Sequence, residues 1–137
     1  MSFKYAVLLA ATVFAAPAFA EGDADKGEKA LKKCKSCHMI KNGDDVIVKG
    51  GKTGPNLYGI IGRTAGTEEG FKYGSSLVEA GEKGLVWDAE NFVAYSADPK
   101  AFLQEYLDDG TAKSKMSFKL KKGGEDVAAY LESVVAE

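Results

Sequence analysis

Cys34-Lys35-Ser36-Cys37-His38 decides how the rest of this 137-residue sequence is read. The pattern is C-x-x-C-H, the attachment sequence of a c-type haem. Two thiols one helical turn apart can add to the two vinyl groups on neighbouring edges of one porphyrin. The histidine that follows sits below the ring, where it can ligate iron. The rival readings have less behind them. A C-x-x-C redox pair belongs next to a βαβ pattern, which this sequence lacks. A zinc site needs a fourth ligand, and the sequence holds only two cysteines and one histidine. The same scarcity excludes a multi-bridge disulfide scaffold and any site built from two imidazoles of one chain.

An iron held by His38 has a second axial position. No other histidine is present and no cysteine is spare. Met39 adjoins His38 and cannot reach the opposite face of a ring, and Met1 lies in an expected leader. That leaves Met116, in Lys113-Ser114-Lys115-Met116-Ser117-Phe118. A lone methionine is usually a core filler. Here polar residues lie on both sides, which suits a ligand carried on a loop.

The leader is read from residues 1–20. Lys4 is a charged n-region, an apolar run follows, and Ala18-Phe19-Ala20 offers small residues at the positions a signal peptidase reads. The expected division is a signal peptide at 1–20, removed before Glu21, and one domain at 21–137. The apolar run falls short of the roughly 20 residues a membrane-spanning helix needs. Without the leader, 46 of 117 residues are apolar, a thin supply for a core, and all sixteen glycines remain. A small domain of this kind needs a staple, such as a metal, a disulfide or a cofactor.

The remaining pattern is all-α, with about four to five helices and a long irregular loop wrapped around one covalently bound haem. A helix is expected over 23–37, starting at Asp23 or Asp25. Residues 42–75 are rich in Gly, Asn, Thr and Lys and read as loop, with at most a short strand pair at Val46-Ile47-Val48 and a helical turn near 76–80. Asp88 caps a helix reaching about Ala97. Asp98-Pro99 starts another that runs to about Leu107. Val127, Tyr130, Leu131, Val134 and Val135 form the buried stripe of a last helix.

These segments together resemble a class I c-type cytochrome of the bacterial cytochrome c2 family, over essentially all of 21–137. The resemblance rests on the C-x-x-C-H motif, Lys52-Thr53-Gly54-Pro55-Asn56-Leu57-Tyr58-Gly59, Gly62-Arg63-Thr64-Ala65-Gly66, Phe71-Lys72-Tyr73, Trp87, Tyr95, Asp98-Pro99 and Lys115-Met116-Ser117-Phe118. The stretch from Pro99 to Met116 is longer than in mitochondrial cytochromes c and points to the larger bacterial form. The resemblance implies that the Pro55 carbonyl accepts the second ring N–H of His38. It implies that Tyr73 and Trp87 bond a haem propionate, that Arg63 offsets its charge, and that Ser114 stands near a propionate. Tyr95 is expected near the methionine sulfur and Phe118 near the exposed haem edge. Gly27 is expected to let the terminal helices cross closely against Tyr130 and Leu131, with Leu31 replacing the family's usual aromatic there.

The functional expectation follows. With the four nitrogens of the porphyrin, histidine and methionine fill all six iron positions, which suits one-electron shuttling and not catalysis. A thioether ligand and an apolar pocket both favour Fe(II). The contrasting class is a haem enzyme or gas-binding sensor with a displaceable distal ligand. Net charge is -2, which argues against nucleic acid. That small total hides a cancellation. Residues 29–41 and 113–122 hold ten lysines and no acid, while the rest of the chain past the leader is strongly acidic. Lys32, Lys33, Lys35, Lys113, Lys115, Lys119, Lys121 and Lys122 are expected to frame the haem face and dock it to acidic surfaces. The partners implied by resemblance are the quinol–cytochrome c oxidoreductase and a photosynthetic reaction centre or terminal oxidase. The expected protein is a monomeric carrier in the periplasm.

Overall fold

A computed structural model describes residues 22–136. The expected signal peptide at 1–20 lies outside the described residues. Asp23, not Asp25, caps the first helix: its carboxylate accepts the amides of Asp25 and Lys26 at 3.0 and 3.2 Å. Helix α1 spans Ala24–Ala30 and tightens into a 3-10 turn at Leu31–Lys33. The expected continuous helix to residue 37 is therefore wrong. The motif is a separate turn, closed by the His38 amide on the Cys34 carbonyl at 2.9 Å. The reason is tertiary. Amides of the following loop take up the motif's carbonyls, Gly51 on Lys35 at 2.9 Å and Gly54 on Cys37 at 2.7 Å. Those bonds satisfy groups that a continuing helix would have used internally.

Strands β1 (Ile40–Asn42) and β2 (Asp45–Val48) pair antiparallel, with a bulge between Ile40 and Lys41. Gly43 supplies the positive φ that the hairpin turn requires. Residues 49–74 run without regular structure to α2 (Ser75–Glu82), longer than the single turn expected there. Helix α3 (Ala89–Ala97) is capped by Asp88 on the Asn91 amide at 2.7 Å. Helix α4 (Pro99–Tyr106) has Asp98 on the Ala101 amide and proline at its first position. Helix α5 (Gly124–Ala136) carries Glu125 and Asp126 in its first turn, where the helix dipole favours negative charge.

The terminal helices meet through glycine. A Cβ on Gly27 would collide with the Asp126 carbonyl and lie 2.9 Å from the Tyr130 Cβ. Gly22 meets Glu125, and Gly124 meets Val93 and Ser96 of α3, so every such contact falls on the first half of α5. This explains one departure from the expected stripe. Val127, Tyr130 and Leu131 are buried and Val134 is half-buried, but Val135 is 45% exposed. Leu31 is buried at the crossing despite lacking an aromatic ring. Gly27→Ala forces two backbones apart, and the expected cost is about 3 kcal/mol. A denaturant midpoint unchanged from the parent protein would contradict this crossing.

Candidate haem site

The long loop, the C-x-x-C-H turn and the segment before α5 enclose a cavity of about 560 Å³. That lies within the range of pockets that bury most of a small ligand. Its wall is mostly apolar, with Leu57, Ile60, Leu77, Phe92 and Leu103 contributing. Cys34, Cys37 and His38 border it, and so does Met116, which lies 78 residues further along the chain than His38. Both cysteines are free thiols. Burial, with the nearby Cys37 adding to it, pushes the Cys34 thiol above its ordinary range, against an opposing pull from Lys33.

His38 is fixed by its neighbours. Its Nδ1 lies 2.8 Å from the Pro55 carbonyl oxygen, to which it donates, leaving Nε2 with its lone pair for a metal. Burial pushes the ring's pKa down, which keeps the imidazole neutral as ligation requires; the Pro55 carbonyl works the other way. Gly54 packs flat against this ring. A Cβ there would lie 2.6 Å from Nδ1 and 2.8 Å from Nε2, so any side chain would displace the histidine. The cradle is a feature that sequence reading missed. Its only sequence trace is the glycine before Pro55. Asn56 was missed as well. Its amide ties the loop to β1, donating to the Lys41 carbonyl at 2.7 Å and accepting the Lys41 and Tyr58 amides at 3.0 Å.

The other expected residues gather on the same wall: Pro55, Arg63, Tyr73, Trp87, Tyr95, Ser114 and Phe118 all line the cavity. Arg63 also donates to the Asn56 carbonyl at 3.3 Å, and the Tyr73 hydroxyl accepts the Glu68 amide at 3.0 Å. Ser114 Oγ donates to the Met116 carbonyl at 2.8 Å and shares a hydrogen bond with the Tyr95 hydroxyl. Burial raises the Tyr95 phenol's pKa, and that bond partly offsets it. Phe118 is 43% exposed while still touching the cavity.

All eight docking lysines are exposed. Lys33, Lys113 and Lys115 reach the cavity's rim; Lys32, Lys35, Lys119, Lys121 and Lys122 stand further out. Lys119 is not a bare charge. Its Nζ pairs with the Asp98 carboxylate at 3.1 Å, across a sequence gap that hid the acid from the charge pattern. Lys72 joins the rim from outside both lysine-rich windows, and its carbonyl accepts the Lys115 ammonium at 3.1 Å.

These residues fit one group. Among the described residues, no three Cys, His, Asp or Glu side chains cluster to hold an ion. A metal here would have a neutral imidazole and a thioether, and the rest of its ligands would come from a ring filling the apolar cavity. No described helix is long and apolar enough to cross a membrane.

Comparison with known proteins agrees. No family model matches the chain. It is 64% identical to cytochrome c-551 of Roseobacter denitrificans, over 98% of this chain and 96% of that protein. It is 61% identical to cytochrome c2 of Rhodobacter capsulatus, over 95% of each. The solved structure of Rhodobacter capsulatus cytochrome c2 matches with a TM-score of 0.81, covering 83% of this chain and 99% of that one. Ferric cytochrome c-550 of Paracoccus versutus also reaches 0.81, at 51% identity, over 84% and 99%. With that identity along nearly its whole length, and a pocket shaped for one covalently attached haem c, the chain belongs to the cytochrome c2 family of class I c-type cytochromes, which are electron carriers.

Proposed function

We propose that the protein is a soluble periplasmic one-electron carrier, exported by residues 1–20 and mature from Glu21. It takes electrons from the quinol–cytochrome c oxidoreductase and passes them to a photosynthetic reaction centre, a terminal oxidase or both. The observation that carries this reading is the single cavity bordered by both thiols, His38 and Met116, with exposed lysines at its mouth. Haem c supplies a one-electron Fe(II)/Fe(III) couple.

The chain's own residues do the rest. Cys34 and Cys37 would hold the group covalently. His38, oriented by Pro55 and pressed by Gly54, and Met116, on its loop, would ligate its iron. Tyr73, Trp87, Arg63 and Ser114 serve the propionates, Tyr95 lies by the methionine, and Phe118 marks the edge open to a partner. The apolar wall excludes water and keeps the environment of the two oxidation states alike. The lysines steer the mouth toward acidic partner surfaces, and such steering weakens as salt screens it.

The test is the rate of electron transfer with isolated quinol–cytochrome c oxidoreductase as salt rises. From 0.01 M to 1 M the screening length shrinks from about 30 Å to about 3 Å. The expected fall in second-order rate is about tenfold or more. Lys115→Glu is expected to slow the reaction at low salt, and Lys100→Glu, exposed on α4, to leave it nearly unchanged. A flat salt profile overturns docking through this face.

A further inference from the structure

The peptide group between Pro55 and Asn56 is bonded at both of its ends. Its carbonyl oxygen lies 2.8 Å from His38 Nδ1 and accepts that proton. Its N–H donates to Glu68 Oε2 at 3.2 Å. The two polar groups of a trans peptide point in opposite directions, so the imidazole and the carboxylate sit on opposite sides of one planar unit. Both residues that meet the peptide are held in place. The Phe71 amide closes a turn on the Glu68 carbonyl at 3.4 Å, and Gly70 supplies a positive φ inside it. The Glu68 amide donates to the Tyr73 hydroxyl at 3.0 Å, which fixes the backbone from which the side chain reaches. The Asn56 side chain bonds Lys41 both ways, and its carbonyl accepts Arg63 at 3.3 Å. Lys83 and Lys119 pair with Glu79 and Asp98; among the described residues no cation pairs with Glu68.

We propose that Glu68 is a positioning residue that acts on the iron through this peptide, making His38 a stronger ligand and favouring Fe(III). The inference rests on the carrier reading above, in which His38 ligates the iron. The peptide C–N bond has partial double-bond character, so a carboxylate that accepts the N–H pushes electron density toward the carbonyl oxygen. That oxygen becomes a better acceptor for the Nδ1 proton. The imidazole gains electron density, and with it Nε2, the atom left for the metal. Fe(III) carries the greater charge and gains more from such a donor than Fe(II).

The charge of Glu68 is felt at the ring. Burial lowers the His38 pKa most, and the Pro55 bond and then Glu68 oppose it. The thioether and the apolar wall favour Fe(II), so Glu68 works against both and holds the potential down. The bond is at the long end of the ordinary range and the side chain is half-buried, so the expected effect is modest.

The test compares Glu68→Gln, Glu68→Ala and Glu69→Gln as holoproteins. Glutamine keeps the shape and an acceptor but not the charge. Glu69 is the exposed neighbour, with the same charge, in the same shallow groove. Glu68→Gln is expected to raise the Fe(II) to Fe(III) ratio at a fixed solution potential about threefold, which is about 30 mV at about 59 mV per tenfold. In the reduced protein the proton resonance of His38 Nδ1–H is expected to move upfield as its bond weakens. Glu68→Ala is expected to move both readouts the same way and to speed hydrogen exchange at the Asn56 amide. Glu69→Gln is expected to leave the resonance and the exchange rate at parent values. An Nδ1–H resonance that stays put in both Glu68 variants overturns the proposal even if the potential rises, because a charge acting through space needs no relay. So does a resonance that moves as far in Glu69→Gln as in Glu68→Gln, and so does a fall in potential. The near-identical shape of glutamine keeps the test decisive even if Glu68→Ala disturbs the loop. Reversible reduction and the sulfur-to-iron absorption of the same samples report on the carrier reading separately.

Discussion

Replacing Cys34 and Cys37 together by alanine is expected to abolish covalent haem and most of the fold. Much of the buried core lines the cavity: Leu57, Ile60, Trp87, Leu103, Leu120 and Val127 all face it. Leaving 560 Å³ without its group costs, at about 24 cal/mol per Å³, at most about 13 kcal/mol. That upper bound matches the whole stability of a typical domain, about 5–15 kcal/mol. Little else replaces the lost contacts: α1 has seven residues and the hairpin only two short strands. The measurement is the mass of the purified chain, which should lack the haem increment, together with far-ultraviolet circular dichroism. A cooperative thermal transition in the variant would show that the polypeptide folds without its staple.

Met116→Ala is expected to remove the weak sulfur-to-iron absorption at the red end of the oxidised spectrum and to lower the midpoint potential. Thioether ligation favours Fe(II). Its loss is expected to use a sizeable part of the roughly 0.8 V that axial ligands span. The fold should survive, because the segment is held by contacts other than the sulfur. The Lys113 amide bonds Ser76 Oγ at 3.0 Å, Ser114 bonds the Met116 carbonyl, and the Leu120 amide bonds the Ser96 carbonyl at 2.7 Å. An intact band in the variant would mean that another residue holds the sixth position. Newly gained binding of cyanide or imidazole, with unchanged circular dichroism, would fit the loss of a ligand alone.

Legibility differed from element to element, and the differences have physical causes. Helix starts were clear because capping is local: Asp23, Asp88 and Asp98 each bond an amide two or three residues on. Helix ends were harder. The end of α1 at Ala30 depends on Gly51 and Gly54 reaching back to the motif's carbonyls from a loop that carries no periodic signal. Val135 fitted the stripe but is exposed, while Val134 beside it packs against the core. The charge pattern had the same weakness. Lys119 looked unopposed until folding brought Asp98 beside it, and Lys72 was overlooked because it joins the rim from another segment.

By itself the sequence determined the chemistry of this protein. Two cysteines, one histidine and one well-placed methionine leave a single group to bind and few ways to hold it, because ligation depends on residue type and scarcity narrows the choice. Only the tertiary structure decided what presses on that group and which charges meet. The Gly54 cradle under His38, the glycine crossing of α1 on α5, and the pairing of Lys119 with Asp98 all depend on distances between different segments of the chain. Local sequence patterns do not encode such distances.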